Sequence, residues 1–316
     1  MKRRTFLKDL AIGSLLANLP FSWGFSKGKE TQGGPVPKRE LANKGDMLSM
    51  IGFGGILLND NGQKFANETI ARAVDAGINY FDVAPTYGNA QDLMGPALEP
   101  YRKDCFLACK TGKWDKKEAE EELHGSLKAL KTDHFDLYQL HAISSKEDVD
   151  KAFAPNGAME VFEKAKKEGK FRYIGFFAHS QEAALYAMDQ YDFDTILFPL
   201  NFVCWYNGDF GPKAYEKAKE KNMGILALKS MAKTRLDKGE DKLYKNIWYR
   251  PVENTSLSYQ ALRFTLSKDI TAAIPPGDSK FLFRAIEHAT NYKALTQEED
   301  NYLQEVAGRT APIFKA

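Results

Sequence analysis

The chain lacks most of the features that would take it outside ordinary enzymes. Three cysteines in 316 residues, Cys105, Cys109 and Cys204, cannot build a disulfide framework. Cys105 and Cys109 fall on one expected strand, about 13 Å apart at ~3.3 Å per residue, too far to bridge. Their spacing, with no His or acidic ligand nearby, is also poor for zinc, and all three read as small buried apolar groups. Charge of one sign is not in excess: the formal net charge is +2, so the basic footprint of a nucleic-acid binder is missing. Beyond the N-terminus no apolar run reaches the roughly 20 residues that a membrane helix needs, and no integral span is expected in the mature chain. A Walker loop, a Gly-x-Ser-x-Gly elbow and a metal-binding helix motif are absent too, and no metal site is expected. What remains, 43% hydrophobic and 27% charged residues, suits one large α/β domain or two small ones.

The N-terminus departs from this plain background. Lys2-Arg-Arg-Thr-Phe-Leu-Lys8 precedes a moderately apolar run from Ala11 to Phe25, and residues 1–9 carry enough cations that the rest of the chain is left at about −1. A basic start and a short apolar stretch describe a secretory signal, and the pattern closely resembles the twin-arginine export signal. The bland alternative is a basic tail with a small hydrophobic helix. The resemblance implies the twin-arginine machinery as a partner and a periplasmic or otherwise exported destination. No clean Ala-x-Ala cleavage site is present, so the segment could also stay as an anchor. The expected plan is a signal and polar linker over residues 1–36 and a folded body over 37–316.

In the body, Arg39 to Met50 reads as a short hairpin turning at Lys44-Gly45. Strand and helix signals then alternate. Strands are expected at 50–57, 78–83, 105–110, 135–141, 173–177, 195–200, 225–228 and 271–274. Helices are expected at 65–76, 90–101, 116–130, 158–168, 181–191, 212–221, 256–266 and 280–290, and Thr296 with Glu299 forms a capping box for one more. Eight strand–helix units point to a parallel sheet with right-handed crossovers. Closure into a (β/α)8 TIM barrel with an N-terminal β-hairpin fits about 270 residues better than an open sheet, although the pattern alone leaves a doubly wound sheet open.

In such a barrel the catalytic groups sit at the C-terminal ends of the strands. Asp82 ends the second strand, with Tyr87 five residues later in the loop. Lys110 ends the third and His141 the fourth. By alternation Lys110, Ala108 and Phe106 share one face, as do His141, Gln139 and Leu137. Three neighbouring strands thus deliver a phenol, an ammonium, a carboxylate and an imidazole. Carbonyl reduction needs a proton for the oxygen, and a tyrosine with a pKa near ~10 is a weak acid unless a nearby cation lowers it. Lys110 supplies that charge, Asp82 holds it, and His141 orients the carbonyl. Each residue alone has a duller reading: Asp82 and Lys110 as a structural ion pair, Tyr87 and His141 as satisfied polar residues.

On these residues the chain resembles an aldo-keto reductase. Gly77-Ile-Asn-Tyr-Phe-Asp82 with Ala84-Pro-Thr-Tyr-Gly88 matches the family's Asp and Tyr signature, and Lys110 and His141 complete its tetrad. The resemblance runs from about Arg39 to Asn291 and implies a nicotinamide cofactor, NADP(H) favoured and NAD(H) the alternative. Cofactor contacts are then expected from Gly55 of the first strand, and from Gly277, Lys280 and Arg284 around Ile274-Pro-Pro-Gly-Asp278. Cations there favour a 2′-phosphate, whereas Asp278 would favour NADH. Of three further expected contacts, two depart from the family pattern. Ile174-Gly-Phe-Phe-Ala-His-Ser180 stands where Gly-x-Ser-Asn is usual, so His179 takes over the amide contact or is a surface residue. Lys229 replaces an aromatic residue and is expected to contact the pyrophosphate or to cap the barrel rim, whereas Asn201 stands where the family has a Gln or Asn facing the amide.

Phe53, Trp114, Trp205 and Tyr206 are expected to ring the substrate, a small carbonyl or alcohol such as an aldehyde, ketone or sugar. Met231 to Asn254, too long for an ordinary connection, is expected as a lid over the cofactor or a surface insertion. Because the twin-arginine route carries folded proteins, a tightly held cofactor is expected. Besides an active reductase, two readings stay open: a cofactor-binding sensor or partner subunit without turnover, and a glycosidase. The last needs two carboxylates across a pocket, and Asp82 has no evident acidic partner.

Overall fold

A computed structural model describes residues Gly34–Ala316. The arginine pair, the apolar run and most of the linker expected over residues 1–36 lie outside the described residues. Val36, expected in the linker, is buried, and its N–H donates to Ala76 O at 2.9 Å, so the packed body begins just before residue 37.

The expected hairpin is present as β1 (Lys38–Glu40) paired antiparallel with β2 (Met47–Ser49). The chain then runs β3 (Phe53–Gly54), α1 (Gln63–Asp75), β4 (Tyr80–Asp82), α2 (Ala90–Leu98), β5 (Phe106–Thr111), α3 (Lys116–Ala129) and β6 (Phe135–Ile143). Next come α4 (Lys146–Phe153), α5 (Ala158–Lys167), β7 (Phe171–Ala178), α6 (Gln181–Gln190), β8 (Thr195–Pro199), α7 (Phe202–Asn207) and α8 (Pro212–Glu220). It ends with β9 (Gly224–Leu228), β10 (Ala232–Arg235), β11 (Tyr249–Pro251), α9 (Thr255–Leu266), β12 (Ala272–Ile274), α10 (Ser279–Thr290) and α11 (Gln297–Gly308).

Eight strands lie parallel in the order β12-β9-β8-β7-β6-β5-β4-β3. The two ends of that sheet meet: Gly52 N donates to Ala273 O at 3.0 Å and Ala273 N to Met50 O at 2.8 Å. The sheet is thus a (β/α)8 barrel, and the open, doubly wound alternative is set aside. Strands buried on both faces read as nearly unbroken apolar runs, and every residue of β5, β8 and β9 is buried. Successive side chains alternate between two cores. Tyr80, Phe106, Ala108, Leu137, Leu197, Leu226 and Ile274 fill the barrel, and Leu41 and Leu48 of the hairpin stop its floor. Phe81, Leu107, Cys109 and Tyr138 face the helices.

Local differences from the expected elements have identifiable causes. The strand expected over 50–57 stops after two residues, because Gly55–Leu58 winds into a 3-10 turn. Helix α4 was hidden in a charged stretch, yet Ser145 and Asp148 close a capping box at its start. Helix α7 begins at Asn201, whose side chain accepts from Cys204 N. All three cysteines are free and buried. Among the described residues no helix is long and apolar enough to cross a membrane.

Candidate active site

The strands open at their C-terminal ends onto a cavity of about 390 Å³, bordered by Asp82, Tyr87 and His141. Strand register pairs Asp82 with Ala108 and Lys110 with Gln139, which brings the ends of β4, β5 and β6 side by side. Lys110 is fully buried, bonded to the Asp82 carboxylate, and also donates to Val83 O at 3.3 Å. A charge so far from water needs a partner, and here it has one. Burial pulls the Lys110 pKa down, but Asp82, through charge and hydrogen bond, with Tyr87 and Cys109 adding, outweighs it, and the pKa ends above its usual value. The ammonium therefore stays charged. Asp82 is held from its other side by Gln139 Nε2 at 3.2 Å and the Tyr80 hydroxyl at 3.5 Å. Gln139 was legible only as a residue sharing the His141 face.

Tyr87 lies edge-on to His141, ring centroids 5.7 Å apart, with Lys110 Nζ 5.4 Å from the phenol centroid. The sequence led us to expect a lowered phenol pKa. Burial, the largest influence, instead raises it; Lys110 lowers it and Asp82 raises it further, for a net upward shift. The phenol thus rests fully protonated, with its most favourable electrostatic neighbour already in place. His141 is held well below the usual imidazole range, by burial first and then by the positive charge of Lys110. Its Nδ1 sits 3.3 Å from Thr86 Oγ1. With that hydroxyl donating, the ring proton is on Nε2, where it can serve a carbonyl oxygen.

The expected cofactor residues divide. His179, Lys229 and Gly277 border the cavity. Gly54 and Ile56 do so in place of Gly55, where a Cβ would meet Val83 and Met94. Asn201 does not reach the cavity, because its side chain is spent capping α7, accepting from Cys204 N at 2.9 Å. Lys280 and Arg284 stand on α10 outside the lining: Lys280 Nζ lies 2.8 Å from Glu253 Oε2, and Arg284 donates to Glu253 O at 2.9 Å. Asp278 accepts from Lys280 N as the cap of that helix.

None of the four expected substrate residues borders the cavity. Phe53 packs on Phe81, centroids 5.2 Å apart, between sheet and helices, and Trp114 lies against the same outer core. Trp205 packs against Tyr215 and Phe264, while the Tyr206 hydroxyl donates to Asp300 at 2.5 Å. The aromatic wall comes instead from Phe177, Trp248 and Tyr249.

Residues 236–248, between β10 and β11, run across the barrel mouth and supply Lys242, Lys245, Asn246 and Trp248 to the lining. This strap is latched to the loop after β3. Asn59 Nδ2 donates to Asn246 Oδ1 at 3.2 Å, Asn246 Nδ2 to Asn59 O at 3.3 Å, and Lys245 lies 3.4 Å from Asp60. Arg250 pairs with Asp237 and Glu240 at its base. Asn59 also presses on Gly88, whose φ of 57° and lack of a Cβ allow an approach no other residue would.

The lining suits an anionic dinucleotide. Its lysines are Lys229, Lys242 and Lys245, and its one carboxylate, Asp82, is already paired. At Gly277 a Cβ would come within 2.7 Å of Ile56 and 3.2 Å of Asn246 O, so the wall there is bare backbone. Ser230 Oγ, beside Lys229, is buried without a protein partner. Among the described residues no group of three or more His, Cys, Asp or Glu side chains could hold a metal ion.

Comparison with known proteins places this arrangement. The model for the Aldo/keto reductase family matches residues 50–275. The chain is 26% identical over 303 residues to the uncharacterized oxidoreductase YqkF of Bacillus subtilis, covering 84% of this chain and 95% of that one. It is 26% identical over 216 residues to L-galactose dehydrogenase of Arabidopsis thaliana, covering 62% and 66%. Among solved structures, aldo-keto reductase AKR11C1 from Bacillus halodurans in its holo form superposes with a TM-score of 0.68 at 22% identity, over 88% of this chain and 98% of that one.

Proposed function

The chain belongs to the aldo/keto reductase family and is an NAD(P)H-dependent oxidoreductase that interconverts a carbonyl and an alcohol; from that premise we propose that Tyr87 is its proton donor. The nicotinamide, when bound, supplies the hydride. His141 Nε2–H and the Tyr87 hydroxyl both reach for the carbonyl oxygen and fix its position. As that oxygen gains electron density, Tyr87 gives it the phenolic proton, and the Lys110 ammonium, kept charged by Asp82, steadies the phenolate left behind. Gln139 and Thr86 hold Asp82 and His141 in orientation. In the alcohol-oxidising direction the same phenolate takes the proton back.

The observation that carries this reading is the convergence of Tyr87, His141 and the buried Asp82–Lys110 pair on one cavity. Replacing Tyr87 with Phe tests it: kcat should fall ~10²–10⁴-fold while binding of reduced nicotinamide, followed by its fluorescence, stays intact. An active Tyr87→Phe enzyme would reject Tyr87 as the acid.

The same cavity supports cofactor roles for Gly277 and for His179 as the amide partner, joined by Lys242, Lys245 and Asn246 of the strap. NADP(H) is favoured over NAD(H). The Asp278 carboxylate is committed to the α10 cap, and a 2′-phosphate would compete with Glu253 for Lys280 and Arg284. For substrates, Trp248 offers a ring face beside the catalytic groups, suited to a sugar carbonyl or another compact aldehyde or ketone. Relatives named L-galactose dehydrogenase, 6-dehydroglucose reductase and methylglyoxal reductase act in that chemical range. The first 36 residues are proposed as a twin-arginine signal and linker, directing the barrel of residues 37–316 to the periplasm or another exported site, anchored there if the signal is retained. Measuring the mature N-terminus of exported protein by mass spectrometry tests that assignment, and an unprocessed cytoplasmic chain would reject both cleavage and export.

A further inference from the structure

The proton-transfer chemistry does not use Lys229, an ionisable group at the barrel mouth. Lys229 follows β9 with a φ of 60°, in the left-handed region that a lysine rarely adopts. Its side chain is drawn into the cavity wall, and the residue is 8% exposed. Among the described residues no carboxylate lies within ion-pair distance of it, unlike Lys110. Instead Nζ sits 5.2 Å from the Phe177 ring centroid, 5.6 Å from Phe314 and 5.7 Å from Trp248. Among the described residues its one side-chain hydrogen-bonding partner is His179, whose Nε2 lies 3.5 Å away.

The ring faces lie at cation–π distance and favour a cation, but burial with no counter-charge works against the ammonium. Burial without a counter-charge brings the Lys229 pKa down to about 7, and burial with the nearby Lys229 charge takes His179 to about 3. Lys229 is boxed by three aromatic rings and the His179 imidazole. A desolvated lysine in an apolar pocket is the setting in which an amine becomes a nucleophile toward carbonyls.

We propose that Lys229 is a second carbonyl-reactive centre in the cavity, an amine that captures apolar or aromatic aldehydes as a reversible imine. The nitrogen lone pair forms the bond to carbon while the C=O π pair moves to oxygen. A proton passes from the nitrogen to that oxygen, giving the carbinolamine. The nitrogen pair then forms C=N as the hydroxyl departs, and the proton still on nitrogen leaves with it as water. Amine and aldehyde give imine and water, with no oxidant or reductant. The proposal rests on the cavity admitting carbonyl compounds, but it needs neither hydride transfer nor Tyr87.

The test is reductive trapping on the full chain without added nicotinamide, using benzaldehyde and sodium cyanoborohydride at pH 7.5, with the site mapped by peptide mass spectrometry. Ordinary lysines are almost wholly protonated at that pH. Lys229 should therefore acquire one benzyl group at least about tenfold faster than the exposed lysines, in the wild type and equally in Tyr87→Phe, which separates this result from the fate of the reductase mechanism. Labelling spread over exposed lysines with Lys229 unmodified would overturn the proposal. So would an unmodified Lys229 together with a tenfold loss of NADPH affinity in Lys229→Met, the signature of a phosphate-anchoring cation.

Discussion

Replacing Lys110 with Met should damage the fold as well as the chemistry, by an amount the site itself sets. Lys110 is wholly enclosed, and the Asp82 carboxylate it binds is nearly so. Removing the ammonium strands a buried anion with only Gln139 Nε2 and the Tyr80 hydroxyl as donors. Breaking a buried pair from one side costs about 3–5 kcal/mol, and at roughly 2–4 °C per kcal/mol for a chain of this size the midpoint of thermal unfolding should drop by roughly 6–20 °C. Making Asp82→Asn in the same chain removes the stranded charge and should recover most of the loss. Circular dichroism melts of the wild type, both single variants and the double variant measure all of this. A loss below about 1 kcal/mol in Lys110→Met, or a double variant no more stable than that single one, would refute the argument that the pair is buried and mutually dependent.

Two further expectations follow from the same geometry. Unlatching the strap with Asn246→Ala and Lys245→Ala removes two amide hydrogen bonds and an exposed ion pair, each hydrogen bond contributing about 1 kcal/mol, and should speed NADPH release by roughly tenfold in stopped-flow fluorescence; unchanged release would show that the strap does not retain the cofactor. Asn201→Ala should cost about 1 kcal/mol of stability through the lost α7 cap and leave nicotinamide affinity as it was, whereas a drop in affinity without loss of stability would restore Asn201 to the cofactor site.

The barrel and its catalytic corner were legible in the sequence because both are written in local pattern. Buried strands between helices announce themselves; period-two alternation put Lys110 with Ala108 and His141 with Gln139 on shared faces, and the resemblance to the family joined them into one site. The substrate wall was not legible. Phe53, Trp205 and Tyr206 are large aromatics near strand ends, but nothing local says whether such a ring turns to the cavity or to a helix. Phe53 went to Phe81, and Trp205 and Tyr206 to the layer formed with α9 and α11. Asn201 misled for a related reason: a polar residue at a strand end can serve a ligand or cap the next helix, and only the short α7 that follows decides it. The strap was visible as an overlong connection, but its latch joins Asn246 to Asn59 across 187 residues, a pairing that only the closed barrel creates.

Asn59 touches both the glycine behind the acid-bearing loop and the amide that fastens the strap. One side chain thus ties the cover and the acid-bearing segment to the same point on the rim, so a change at Asn59 is felt on both sides of the mouth at once.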